Sequence, residues 1–313
     1  MPPFWEAKFY LSGKNMFKPN YENKISEIPQ IKKEFDQILS SCTLCPRNCK
    51  VNRLKWEVGF CKVKYKPFIS SFGPHFGEEK CLVGSFGSGT IFFSSCNLKC
   101  IFCQNYDISI LNEGQEISFE DLSKIALYLQ DLGCHNLNLV TPSHQAHTII
   151  HLIWEGFFKG LKLPIVYNTS GFDSLQTLKL LDGFINIYMP DFKTLNKDFA
   201  KRYLNAPDYP EIIKQTIKEM HSQVGDLKID ENGIAYEGLL VRHLVMPSFV
   251  EDSFKILEFL AYEVSPNTAV NIMAQYYPYY KAKEDDIISR RPTLYEIERV
   301  KEYAFKLGLR VIN

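Results

Sequence analysis

No apolar run in this 313-residue chain is long enough to cross a membrane; the longest are short and interrupted by charges. The first residues, MPPFWEAKFYLSGKN, lack the apolar core of a signal peptide. Together these absences point to a cytoplasmic protein. A surplus of charge is missing too: 36 Lys and Arg stand against 36 Asp and Glu. Nucleic-acid domains carry a basic excess, so a general polyanion binder is excluded and a nucleic-acid partner is not expected, although a local basic groove stays open. There is no internal repeat, which excludes a solenoid, and no low-complexity tract. What remains is a composition with 45% hydrophobic and 23% charged residues, that of a globular protein able to bury a sizeable core.

Cysteine, by contrast, is plentiful and unevenly placed. Seven of the nine cysteines fall into two tight groupings. Without an export signal, metal is a better reading of such spacing than disulfides. The first group, Cys42, Cys45, Cys49 and Cys61, reads C-x2-C-x3-C-x11-C, with Pro46 and Gly59 at turns. Four thiolates suffice for a closed tetrahedral zinc or for an all-cysteine iron–sulfur cluster, and spacing does not separate the two. The second group, CNLKCIFCQN (96–105), holds Cys96, Cys100 and Cys103 as C-x3-C-x2-C. It has one ligand fewer than a closed site needs. Cys81 and Cys134 stand alone and read as buried thiols.

The pattern divides the chain into a polar extension over 1–41, a four-cysteine knuckle with a loop-like linker over 42–88, and an α/β region over 89–313. Six apolar stretches read as strands, at 90–95, 135–142, 163–171, 184–193, 238–247 and 269–278. They are apolar on both faces, as in a buried parallel sheet. Amphipathic helices lie between them; one, at 118–133, starts at Ser118 and Asp121 and stops at Gly133. Six β-α units predict a partial (β/α)6 TIM-type barrel, since eight need about 250 residues. Thr141, Ser143, Asn168, Ser170, Asp191, Lys193, Arg242, His243 and Gln275 fall at strand C-terminal ends, the edge where such sheets bind ligands. His144, His147 and His151 share a helical face and read as structural. GSFGSG (84–89) reads as a turn into the first strand, and QYYPYYK (275–281) as core and rim packing.

C-x3-C-x2-C directly after the first strand, with Phe102 before its last cysteine, resembles the radical S-adenosylmethionine superfamily. A closer resemblance is to the pyruvate formate-lyase activating enzymes and their PflX-like branch. It is carried by CTLCPRNCKVNR (42–53), GSGTIFFSSCNLKCIFCQN (87–105), YNTSGFD (167–173), MPDFKT (189–194), VRHLVMP (241–247) and NIMAQYYP (271–278). The resemblance implies that Cys96, Cys100 and Cys103 hold a [4Fe–4S] cluster whose fourth iron chelates S-adenosylmethionine. An electron then splits the cofactor to a 5′-deoxyadenosyl radical, which takes hydrogen from a substrate. By the same resemblance Asn168 lies where activating enzymes carry an acidic residue near the cofactor. Asp191 and Lys193 match their Asp-x-Lys, and Arg242 matches a strand-five Arg; Ser143 and Ser170 complete the expected contacts. Where the family places a Gly-Gly-Glu-like turn, this chain reads TPSH (141–144), a departure near the cleft that points toward a different substrate. The implied partners are a flavodoxin- or ferredoxin-type electron donor and a glycyl residue of a partner enzyme or a peptide. Competing readings are a non-catalytic metal module and an RNA-modifying radical enzyme, the latter disfavoured by the neutral charge.

Overall fold

The computed structural model describes residues 19–312, so the reading of the first fifteen residues lies outside the described residues. Ten strands form: β1 Phe68–His75, β2 Ser88–Phe93, β3 Gln115–Glu116, β4 Leu137–Val140, β5 Ile165–Thr169, β6 Ile187–Pro190, β7 Lys228–Ile229, β8 Ala235–Leu244, β9 Ala269–Met273 and β10 Arg310–Ile312. They pair in the order β10-β9-β8-β6-β5-β4-β2-β1-β3, with β7 on the side of β8. From β2 to β10 every pairing along this path is parallel. The result is an α/β fold on a mostly parallel sheet, consistent with the expected partial barrel.

The six anticipated strands are β2, β4, β5, β6, β8 and β9. Several elements differ from expectation. Residues 62–88 are not all loop: β1 runs antiparallel to β2 over eight residues, and a short helix, Lys80–Val83, follows it. Gly73 and Pro74 masked this strand. β3 pairs only with Phe68 and Ile69, which leaves the Gly73–Pro74 half on a free edge where a missing N–H is tolerated. β10, a seventh parallel strand, is three residues long and too short to show a period.

Alternation along the strands sets the two faces. Leu137, Leu139, Ile165, Tyr167, Tyr188, Leu239 and Val241 belong to the large core beneath the helices. Val166, Ile187, Met189, Leu240 and Ala269 face the other way and pack against Cys81 and Leu82 of the short helix, which plugs the inner face. Local sequence sets the helix ends. Ser118 accepts from the Asp121 N–H at 3.0 Å, and Thr293 forms a capping box with Glu296. Helix Ile28–Ser40, with Pro29 in its first turn, buries Ile28, Phe35 and Leu39 in the large core, and the Tyr21 hydroxyl donates to the Leu163 carbonyl at 3.1 Å. Among the described residues no helix is long and apolar enough to cross a membrane.

One glycine is indispensable to β8. Gly238 has φ of +120°, and a Cβ there would meet the Leu227 Cα at 2.4 Å and the Asp226 carbonyl oxygen at 2.5 Å. Those are backbone atoms and cannot swing away. Gly238→Ala is expected to lose about 2 kcal/mol or more, read in thermal unfolding as a drop of roughly 5 °C or more.

Candidate iron–sulfur and cofactor site

The Cys96 loop leaves β2 through two left-handed non-glycine residues, Ser95 at φ 70° and Lys99 at φ 61°. Such conformations are held only where the surroundings impose them. Here the Ile101 N–H donates to the Tyr203 carbonyl at 3.0 Å, and the Ile101 carbonyl accepts from Ala282 at 3.2 Å. Phe102 packs edge-on against Phe199 and Tyr276. The Leu98 N–H points at the Cys96 sulfur, 3.3 Å away, and the Ser109 hydroxyl at the Cys103 sulfur, 3.1 Å away. Cys96 and Cys100 are buried and Cys103 is half-buried.

These residues fit a cluster. Hydrogen bonds aimed at sulfur are a means of tuning iron–sulfur centres. Burial pushes the Cys100 and Cys103 thiols upward, while the Lys193 ammonium pulls them back. Among the described residues no three His, Cys, Asp or Glu side chains converge as ligands of a single metal ion. A cubane spreads its thiolates over separate irons, so a three-cysteine cluster motif does not require that convergence.

Four of the expected cofactor contacts form one hydrogen-bonded network at the strand ends. Arg242 donates from Nε to Asp191 Oδ1 at 2.9 Å and from Nη2 to Asn168 Oδ1 at 2.7 Å. Lys193 Nζ donates to Asp191 Oδ2 at 2.9 Å. Alternation places Asn168, Asp191 and Arg242 on the inner face, with Val166, Met189 and Leu240. Against the effect of burial, Arg242 and Lys193 hold the Asp191 carboxyl below the usual carboxylate range. Against the same effect, Asp191 keeps both cations above their ordinary values. The side chains of Arg242, Lys193 and Asp191 retain 15%, 17% and 22% exposure, enough to meet a ligand.

Two members of this group escaped the sequence reading. Glu78, from the segment taken as loop, accepts from Arg242 Nη1 at 3.1 Å. Burial raises its carboxyl, and Arg242 opposes the rise. An acidic pair in a glycine-rich stretch was its only signal. Tyr209 sits on the helix Tyr209–Val224; its hydroxyl lies 2.9 Å from the Ser170 carbonyl and 2.8 Å from that of Asp191, and accepts from the Lys193 N–H. It ties the ends of β5 and β6, and nothing in a lone tyrosine announced it.

The hydroxyls of Ser143 and Ser170 are placed apart from the network. Ser143 bonds Thr169 at 2.9 Å, which donates to Asp173 at 2.6 Å, and Tyr167 donates to the same carboxylate, on the helix side. The Ser170 hydroxyl oxygen accepts from the Phe172 N–H at 3.5 Å. The TPSH turn opens on Thr141 at φ 60°, whose N–H donates to the Asn168 carbonyl at 2.8 Å. The His144 ring meets the Ser94 carbonyl at 2.9 Å, and its own carbonyl accepts from Arg53 Nη1 at 2.7 Å.

Arg53 belongs to the knuckle, so the turn that departs from the family pattern is tied to the upstream cysteines. Cys42, Cys45, Cys49 and Cys61 line one cavity, with His144 on its wall. Burial pushes the Cys45 thiol up to about 12. Cys81 lies in the inner core and Cys134 against Gly89.

The remaining polar rings serve the frame. His147 bonds the Tyr65 carbonyl at 2.7 Å, and His151 stacks on Phe119 with centroids 4.0 Å apart. His243 points away from Arg242 and bonds the Phe192 carbonyl and Ser253. Tyr276 is buried, while Tyr277 and Tyr279 lie on the rim. Burial pushes His144 and His151 down to about 3 and His243 to about 4. These rings fold neutral, and the unfolded chain binds their protons first. Stability is therefore whole above the ordinary histidine range near 6.5 and is lost as pH falls from there toward 4. Urea midpoints taken from pH 7.5 to pH 5 are expected to fall by an amount worth a few kcal/mol; a flat profile would contradict neutral burial.

Comparison with known proteins bears on the same residues. A family model described as the Radical SAM superfamily matches residues 90–230, from β2 through β7. The uncharacterized protein MJ0674 of Methanocaldococcus jannaschii is 34% identical over 283 residues, covering 88% of this chain and 77% of that one. Among solved structures, Streptococcus suis SuiB aligns over 70% of this chain and 46% of its own, at 16% identity and a TM-score of 0.48. A structure described as native anSMEcpe with bound AdoMet aligns over 68% and 57%, at 11% identity and a TM-score of 0.46. The chain thus spans about half the length of those solved structures. The family match begins inside β2 and takes in the C-x3-C-x2-C loop and the Asp191–Lys193 strand end, so residues 90–230 of this chain match the Radical SAM superfamily model.

Proposed function

We propose that this protein is a radical enzyme that reductively cleaves S-adenosylmethionine and abstracts hydrogen from a substrate, in the manner of the activating enzymes. The observation that carries the reading is the Asn168–Arg242–Asp191–Lys193 network, set beside the three-cysteine loop. Asp191 and Lys193 lie within electrostatic reach of the Cys100 thiol, which supports reading the residues matched to cofactor binding together with those matched to cluster binding. A carboxylate held ionised between two cations suits an α-amino group, and the two cations suit an α-carboxylate. The cofactor, when bound, supplies the sulfonium that accepts an electron and yields a 5′-deoxyadenosyl radical. The chain's own share is to hold the cluster, to orient the ligand's amino-acid end, and to keep water from the inner face through the Cys81–Leu82 plug.

The substrate proposed is a glycyl residue of a partner enzyme, with a peptide next, and the reductant a flavodoxin- or ferredoxin-type carrier. The test is anaerobic reconstitution with iron and sulfide, followed by dithionite and S-adenosylmethionine. Formation of 5′-deoxyadenosine and methionine in equal amounts is expected. Absence of both from protein that carries its iron would overturn the reading.

A further inference from the structure

The knuckle repeats the construction of the Cys96 loop. Left-handed non-glycine residues flank its cysteines as well: Asn48 at φ 45°, Lys50 at φ 59° and Lys62 at φ 60°. A backbone N–H again points at sulfur, from Phe60 to Cys49 at 3.3 Å. Gly59 lies so close that a Cβ would fall 2.7 Å from the Cys49 sulfur. The four cysteines surround a common cavity; among the described residues no three His, Cys, Asp or Glu side chains are arranged to hold a single metal ion, whereas tetrahedral zinc needs four sulfurs about 2.3 Å from a single centre.

The two groups also touch. Asn97, fully buried, accepts at Oδ1 from the Cys96 thiol at 4.0 Å, and its side chain also lies within reach of the Cys45 thiol. Arg47, between Cys45 and Cys49, donates to the Asn97 carbonyl at 2.6 Å and the Leu98 carbonyl at 3.3 Å. The Ser95 hydroxyl donates to the Cys61 carbonyl. One asparagine side chain therefore separates a thiol of one group from a thiol of the other.

Above the knuckle the charge is not balanced. Residues 47–66 hold seven Lys or Arg against one Glu in a chain that is neutral overall. Lys55, Lys64 and Lys66 are exposed, as is Trp56 at 52%, with Lys64 Nζ 5.7 Å and Lys66 Nζ 5.9 Å from the Trp56 ring centroid. A basic patch around an exposed aromatic fits an acidic protein surface.

We propose that Cys42, Cys45, Cys49 and Cys61 hold a second [4Fe–4S] cluster, and that the lysine patch over it docks an acidic one-electron carrier protein. The proposal rests on the reading of Cys96, Cys100 and Cys103 given above. The reduced carrier gives one electron to the knuckle cluster, which passes from its 2+ to its 1+ state. The electron leaves across Asn97 to the Cys96 site and the knuckle cluster returns to 2+, with no proton and no bond exchanged. Zinc, which has no accessible second oxidation state, cannot serve in that position.

The chain with Cys96, Cys100 and Cys103 all replaced by Ala isolates the knuckle. After anaerobic reconstitution it is expected to hold about four irons and to show the EPR signal of a reduced cluster with dithionite. Zinc in place of iron, or no metal, overturns the proposal. Should that variant fail to fold, Cys45→Ser in the otherwise native chain is expected to lower the iron count from about eight to about four. A native count of about four that Cys45→Ser leaves unchanged overturns it. Loss of the three Cys96-loop thiols without loss of iron would instead sink the reading of that loop, so the two failures are distinguishable. For the patch, Lys55→Glu with Lys64→Glu is expected to slow reduction by reduced flavodoxin roughly tenfold at low ionic strength, and reduction by dithionite far less. Equal slowing of both overturns the docking.

Discussion

Replacing Cys100 by alanine is expected to reduce 5′-deoxyadenosine formation to the level of protein without iron. Three thiolates are the fewest that leave one iron of a cubane open, so each is indispensable. Cys100 is 7% exposed, and its loop is held by backbone bonds to Tyr203 and Ala282. Cys45, near Asn97, is committed to its own group. A substitute ligand would need the loop to move as a whole. The fall should be a hundredfold or more, the scale seen when a primary metal ligand is lost outright rather than a supporting contact, which costs about 10–100-fold. Iron content and the charge-transfer absorbance report the same loss independently of turnover. Cys134→Ala serves as the control, since Cys134 lies against Gly89, away from both groups. Activity within tenfold of the native protein would sink the assignment.

The spacing of the cysteines carries only the expectation of metal, since three and four thiols within short stretches have few other uses; the cluster and radical chemistry expected of them comes from the resemblance. The parallel strands were legible because both of their faces are buried, which leaves apolar runs bounded by turns. What stayed hidden depends on contacts between distant segments. β1 carries Gly73 and Pro74, residues that argue against a strand until its free edge is known. Glu78 reaches Arg242 across 164 positions, and Tyr209 joins two strand ends from a helix. Neither pairing leaves a local pattern. Ser143 illustrates the converse. Its place after a strand suggested the cleft, yet it bonds Thr169 on the opposite face. Past the end of β4 the chain is in a turn, where the alternation that governs a strand no longer applies. In the same turn His144 spends its ring on the Ser94 carbonyl and its own carbonyl on Arg53.

Asp191→Ala is expected to have the second largest effect, on stability and on ligand binding together. Among the described residues the carboxylate alone bonds the side chains of both Arg242 and Lys193, through separate oxygens each at 2.9 Å. Its removal leaves two cations facing each other with Glu78 and Asn168 as the remaining acceptors of Arg242, and Lys193 without its partner. Breaking a buried pair from one side costs about 3–5 kcal/mol, but these side chains keep 15–22% exposure, which lowers the expectation to about 2 kcal/mol. The thermal midpoint should fall by roughly 4–8 °C. Glu78→Gln tests the asymmetry: Arg242 keeps Asp191 there, so the loss should be less than half as large. The pH dependence separates charge from packing. Asp191 folds with a depressed pKa, so its contribution is whole above the ordinary carboxylate value near 3.9 and is lost as pH falls through the lower folded value. Asp191→Asn, which keeps the shape, should therefore differ from native protein at pH 7, and the difference should shrink as pH falls through the depressed folded value. Calorimetric titration of the reconstituted variant with S-adenosylmethionine should show binding weakened roughly tenfold or more, since the carboxylate that would meet the amino group is gone. Unchanged affinity with lowered stability would reduce Asp191 to a structural ion pair and move the cofactor's amino-acid end elsewhere in the cleft.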